Sequence, residues 1–286
     1  MIYRLRLRAT RAFAALLPVV LVLPCGATVG SAQGAGDRPL PAHVEAIYKV
    51  SFTALGNIGS FRFDSDIAGE AYNLSANAKV HTAIFDYNAA MKSNGAVVAA
   101  GSVVTRPADH SFNYRQKTFL RKKKVKGLNM TFSDATVTKV AFVPPEGPPK
   151  GPSKAIPVKP EQLRNVLDPL SGVMALSLAH VSNPCDQKLP IYDGKQRFDV
   201  VFTPARRAGT DHVCNVRLVP ISGHKPGEGS ASVVSGNIEL VMRPVPKANV
   251  VIPISLTVPT IVGTATLTSE KVDITMPDQQ RIALRR

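Results

Sequence analysis

Apolar and polar residues alternate along most of this chain. Over residues 43–53 the apolar positions are Val44, Ala46, Tyr48, Val50 and Phe52. Gly56-Asn57 follows, and residues 58–67 alternate again through Phe61, Phe63 and Ile67. A period of two around a Gly/Asn turn predicts a β-hairpin, because successive side chains of a strand point to opposite faces. Residues 71–80 predict a third strand. Residues 82–94, with Ile84, Phe85, Tyr87 and Met91, fit a short helix or an irregular edge equally. Residues 96–105, after Asn94-Gly95, and the basic stretch 111–125 predict further strands. Lys126-Gly127-Leu128-Asn129 predicts a turn, and residues 130–132 and 137–143 continue the sheet.

The pattern then breaks. Residues 144–160 hold Pro144, Pro145, Pro148, Pro149, Pro152, Pro157 and Pro160, a density that neither a helix nor a central strand survives. An extended, solvated loop is expected there. One helix follows. Leu170, Val173, Met174, Leu178 and Val181 form a single apolar stripe, Asp168 is a good N-cap, Pro169 suits the first helical position, and Asn183-Pro184 is the expected end. The stripe predicts a core helix packed on the sheet. Beyond residue 188 the chain is β-patterned again, with strands expected at 196–202, 213–221, 236–242, 250–257, 261–268 and 271–276. Gly, Pro and Asn separate them at intervals suited to an antiparallel sheet or barrel. The fold class is mainly β with one central helix, a single domain over residues 44–286, and no repeat of fixed period.

The first 32 residues have a different character. Arg4, Arg6, Arg8 and Arg11 precede an apolar run over 12–24, and small residues end at Gly30-Ser31-Ala32. That order is a secretory signal, cut near Ala32, with residues 33–43 as a mobile Gly/Pro/Ala leader. The apolar run is shorter than the roughly 20 residues of a membrane span. Cys25 follows Pro24 where a lipoprotein signal places a small residue, so it is read as part of the discarded peptide. Export to the periplasm leaves Cys185 and Cys214, and an even pair in an oxidising compartment is expected to form a disulfide. The formal charge is +15, and removing the four signal arginines leaves the chain strongly basic. Outside the cytoplasm that charge points away from nucleic acid and toward anionic lipid, lipopolysaccharide or wall polymer.

Little in the sequence carries chemistry. No pair of the six histidines has the i, i+4 spacing of a helical metal motif, so neither a metal nor a cofactor is expected. Ser222-Gly223-His224-Lys225 matches Ser-x-x-Lys in form, but Gly223, Pro226 and Gly227 exclude the helix that motif requires. Asp64 and Asp66 share one strand face, an ordinary arrangement on an exposed sheet. The basic segment is more distinctive. Arg115, Lys117, Arg121, Lys122, Lys123, Lys124 and Lys126 interleave with Tyr114, Phe119 and Val125. Such charges hinder edge-to-edge strand pairing; they are also the candidate contact for an anionic surface. Asp193-Gly194 supplies the positive φ of a tight turn, and places Arg197 and Asp199 on one strand face where they can pair.

Three segments carry a family resemblance: residues 48–61, residues 168–176 beginning Asp168-Pro169-Leu170, and Cys185 followed by residues 191–199, Cys214 and Ile221-Ser222-Gly223-His224. Together they resemble exported bacterial proteins of domain-of-unknown-function family 3108. The resemblance implies a large curled antiparallel sheet, an incomplete barrel or spiral, without established catalytic residues. The proline loop and the basic strand depart from it.

The function expected is non-enzymatic support of the cell envelope. A curved sheet with an apolar inner face either fills itself or holds something. The candidate ligand face is Phe61, Phe63, Phe198, Val200 and Phe202, and the candidate partners are an amphiphile, an envelope protein such as a lipoprotein, a cell-wall polymer, or an anionic membrane surface. The alternative is an assembly factor that docks on envelope machinery through its proline loop and strand edges.

Overall fold

The computed structural model describes residues 39–100, 102–119, 121–147, 154–226 and 234–285. The predicted signal peptide, leader residues 33–38, and Pro148, Pro149 and Pro152 lie outside the described residues. Seven strands run in order: β1 (His43–Phe52), β2 (Gly56–Ala68), β3 (Ala71–His81), β4 (Phe85–Ala100), β5 (Ser102–Thr118), β6 (Arg121–Ser133) and β7 (Thr136–Val143). Helix α1 (Pro169–Ser177) follows. Then come β8 (Gln187–Tyr192), β9 (Arg197–Ala208), β10 (Asp211–Ser222), β11 (Ile238–Val245), β12 (Val250–Thr260), β13 (Gly263–Thr275) and β14 (Arg281–Arg285).

All fourteen strands belong to one antiparallel sheet, ordered β7-β6-β5-β4-β3-β2-β1-β13-β12-β11-β10-β9-β8, with β14 beside β13. Its chemistry is the period-two pattern. In β3, Tyr72, Leu74 and Ala76 are buried while Asn73 and Asn77 between and beyond them are exposed. The apolar face is concave and α1 packs into it: Leu170 and Met174 join Ala46, Phe63, Tyr72, Ile252 and Ile274 in the main core.

The sheet is not closed by a β7–β8 ladder. The segment before α1 fills the gap instead. Arg164 bridges to Thr136 of β7, and Leu167 bridges to Ile191 of β8 through Leu167 N to Pro190 O at 2.8 Å and Tyr192 N to Leu167 O at 2.9 Å. Val166, Tyr192, Leu128, Met130 and Phe132 form a separate core beneath this seam. The seam is therefore crossed by side chains and one connecting segment, which pairs backbone groups of the β8 edge and bridges β7 at one point.

Several boundaries differ from the sequence expectation. The ambiguous stretch 82–94 is mostly strand β4, because partners on both sides supply its ladder. Gly95 sits inside β4 at a register shift, where a Cβ would come 2.1 Å from the Arg106 carbonyl oxygen and 2.6 Å from the Tyr72 hydroxyl. Gly127 likewise lies inside β6, against the Asn113 side chain, so residues 126–129 are strand. The chain reverses between Thr118 and Arg121, with a turn at Phe119, which folds the basic segment into a hairpin with Arg115 opposite Val125. Helix α1 ends at Ser177, with Leu178 as its C-cap, not at Asn183-Pro184. Residues 263–268 and 271–275 belong to one strand, β13, with 261–262 in the turn before it and Met276 just beyond its end. The proline loop ends one residue early, since Pro160 opens a short 3-10 turn.

Candidate functional site

Helix α1 is fixed at both ends. At its start, Asp168 is completely buried and caps the helix by accepting from the backbone N–H groups of Leu170 at 2.9 Å and Ser171 at 3.0 Å. The same carboxylate accepts from the Ser171 hydroxyl at 2.5 Å and from the Ser93 hydroxyl of β4 at 2.6 Å. His110 of β5 places Nδ1 2.9 Å from Asp168 Oδ1 and 2.7 Å from the Ser93 oxygen. Tyr72 of β3 completes the cluster through its hydroxyl, 2.8 Å from Ser171 Oγ. Burial by itself raises the Asp168 pKa, but the His110 contact and the Ser171 and Ser93 hydroxyls outweigh it and hold the carboxyl below the usual aspartate value.

Ser93, His110 and Asp168 are the residue types of a hydrolytic relay, but the geometry differs. In such a relay the serine and the carboxylate engage opposite nitrogens of the imidazole. Here both engage Nδ1, and the Ser93 proton is donated to Asp168. The cluster ties three strands to the helix cap.

The other end of α1 is tied by the Cys185–Cys214 disulfide, with Cα atoms 5.2 Å apart. It joins the segment after the helix to β10 and packs with Leu176, Phe202, Leu240 and Met242.

Between α1 and the concave sheet lies a cavity of about 440 Å³. Val44, Ala46 and Tyr48 of β1, Phe61 and Phe63 of β2, and Val200 and Phe202 of β9 line it. Val216, Leu240, Ile252 and Leu256 of β10 to β12 form the far wall, and Val173, Met174, Leu176 and Leu178 cover it from the helix side. No charged side chain lines it; its polar groups are Ser65, Ser177, Ser255 and the Tyr48 hydroxyl. That hydroxyl donates to the Pro253 carbonyl at 3.0 Å, and burial raises its pKa, so it stays a neutral donor. Of the five residues proposed as an inner face, Phe61, Phe63, Val200 and Phe202 come together here. Phe198, half-buried further along β9 opposite Ile191 and Pro220, is not among the lining.

The basic segment is distributed rather than concentrated. Lys124 and Lys126 border a second cavity of about 420 Å³ with His110, Phe112, Tyr114, Phe142, Lys195 and Glu146. Lys124 lies 5.9 Å from the Tyr114 ring centre and Lys195 4.6 Å from that of Phe142, while Lys195 also pairs with Glu146. Arg115, Lys117 and Lys123 surround a surface depression with Asp86, and Lys122 is exposed. Arg121 lies in β6, its side chain outside the described set. The β6–β7 register begins at Gly127 opposite Val143, so residues 121–126 extend past the end of β7 as a lysine-rich sheet edge.

The remaining candidates are engaged structurally. Asp64 pairs with Arg62 at 2.9 Å, Asp66 with His43 at 2.7 Å, and Arg197 with Asp199 at 2.6 Å. Asp193 Oδ1 accepts from the backbone N–H groups of Lys195 and Gln196 around the Gly194 turn. Ser222 is buried and donates to Gln162 Oε1 at 2.7 Å. Among the described residues no group of three or more His, Cys, Asp or Glu is placed to hold a metal ion, and no helix is long and apolar enough to cross a membrane.

No family model matches the chain, and no curated protein matches it. Among solved structures, it is similar to a beta-barrel-like protein of domain-of-unknown-function family 1849 from Brucella abortus. The identity is 13%, the match covers 83% of this chain and 98% of that one, and the TM-score is 0.44. That family is distinct from family 3108, which the three sequence segments resemble.

Proposed function

We propose that this chain is an exported, non-enzymatic envelope protein that holds the apolar chain of an amphiphile between its curled sheet and α1. The observation that carries this is the uncharged cavity of about 440 Å³. Its size falls in the range of about 300–1,000 Å³ typical of small-molecule sites. A core with no ligand to hold closes to crystal-like density, with few voids larger than a water molecule. Here the space persists beside an α-helix that is anchored at both ends and whose Leu170 and Met174 already pack into the sheet core. Placement in the periplasm rests on the signal-like residues 1–32 and on a disulfide, a bond that persists in oxidising compartments. The non-enzymatic reading is supported by the relay-like residues being engaged with one another in a buried cap.

The test is lipid extraction and mass spectrometry of protein purified from the periplasm, alongside an Ile252→Trp variant that fills the cavity. An acyl-chain amphiphile recovered with the wild-type protein and absent from the variant is the expected result. An empty wild-type protein that also binds no added fatty acid would contradict the reading.

A further inference from the structure

The geometry points to a membrane-docking rim: four neighbouring turns at one end of the sheet form an apolar, cation-flanked edge built to rest on an anionic bilayer, while the β8–β9 turn farther along that end, Asp193-Gly194, keeps ordinary turn chemistry. In an antiparallel sheet alternate turns fall at opposite ends. The β12–β13, β1–β2, β3–β4 and β5–β6 turns are therefore at the same end, and they are neighbours across the sheet. Backbone bonds couple them in pairs: Thr53 N donates to Thr264 O, and Phe119 N to Ile84 O, each at 3.0 Å.

Every one of these four turns exposes a large apolar side chain. They are Ile261 (75%) and Val262 (76%), Leu55 (58%), Ile84 (68%) and Phe119 (82%). Turn positions ordinarily favour Gly, Pro, Asn, Asp and Ser. The turns at the opposite end keep to that chemistry, with Gly69-Glu70, Asp134-Ala135, Gly209-Thr210 and Asp278-Gln279. The exposed Val104 nearer that end lies within β5, not in a turn. A run of apolar side chains on successive tips is the kind of contiguous exposed patch that marks an interaction site.

Charge identifies the partner. Lys117, Lys122 and Lys123 flank the Phe119 tip in sequence, and Lys79 is exposed on β3, five residues before Ile84. Asp86 is the one acidic residue in these turns or within three positions of them, and it pairs with His81. A bilayer with anionic head groups satisfies both features together, since interfacial binding grows with buried apolar area and with attraction to anionic lipid, while lysines keep their ammonium groups at head-group level. The inference rests on the rim and is independent of the cavity.

Vesicle co-sedimentation of the mature full-length protein tests it, using equimolar phosphatidylcholine and phosphatidylglycerol against phosphatidylcholine alone. Binding to the anionic vesicles, weakened by salt, is expected. A Phe119→Ser/Ile261→Ser/Val262→Ser variant and a Lys122→Glu/Lys123→Glu variant should each bind roughly tenfold more weakly. Circular dichroism checks that these surface changes leave the sheet intact, and Ile252→Trp should leave vesicle binding unchanged. No binding by the wild-type protein, or binding indifferent to both rim variants, would overturn the proposal. So would a lipid-free dimer that the rim variants dissolve, which would make a second copy the occupant.

Discussion

Asp168 Oδ1 accepts the Ser93 hydroxyl at 2.6 Å although 75 residues separate the two along the chain. The bond joins the cap of α1 to the middle of β4, and through it the helix is held over the cavity it covers. Removing the carboxylate leaves five donors without their acceptor. Asp168→Ala should therefore lower stability by about 3–5 kcal/mol, more than the loss of an ordinary cap. Equilibrium denaturation with the disulfide intact measures it, and a loss below about 1 kcal/mol would mean the cluster is incidental.

The same residue predicts an acid response. Its carboxyl is held below its ordinary value of 3.8. A depressed carboxylate adds stability that is fully present above the unfolded value and is lost as pH falls through the folded one. The stability gap between wild type and Asp168→Asn should therefore be constant at neutral pH and narrow below pH 3.8. A gap that stays the same through the acid range would show that ionisation of Asp168 contributes nothing.

How much of this was legible in the sequence depends on distance along the chain. The strands were, because a period of two repeats locally, and so was the start of α1, because Asp168 and Pro169 are adjacent. One turn, at residues 126–129, was misplaced because glycine has two uses. Gly95 and Gly127 allow close approach of neighbouring groups within strands, not reversal of the chain. The true turn near Phe119 gave no signal, since an exposed apolar tip breaks the turn chemistry that a reader searches for. Four residues of the cavity face followed from alternation on β2 and β9, but the walls from β10 to β12 depend on sheet order. The Ser93–His110–Asp168 cluster spans separations no local pattern reveals.

Gly95 allows a direct check of that second use. A methyl group there meets the Arg106 carbonyl and the Tyr72 hydroxyl that contacts Ser171. Gly95→Ala should cost about 1–3 kcal/mol by overpacking. A neutral substitution, read by thermal denaturation, would show that β4 and β5 can separate at the register shift.

The disulfide secures the opposite end of the helix. Replacing Cys185 and Cys214 with Ser should cost about 2–5 kcal/mol. It should also quicken release of any bound acyl chain, because Leu176 packs in one cluster with the two cysteines and also lines the cavity. Denaturation and probe-dissociation rates, with and without reductant, measure the two effects separately.

The most direct measurement is titration of the delipidated protein with a fluorescent fatty acid, comparing wild type with Ile252→Trp. The wild-type protein should bind one probe per chain saturably, and the variant should lose that binding with its circular dichroism spectrum unchanged. Equal binding by both proteins, or by neither, would contradict a cavity that holds an apolar chain.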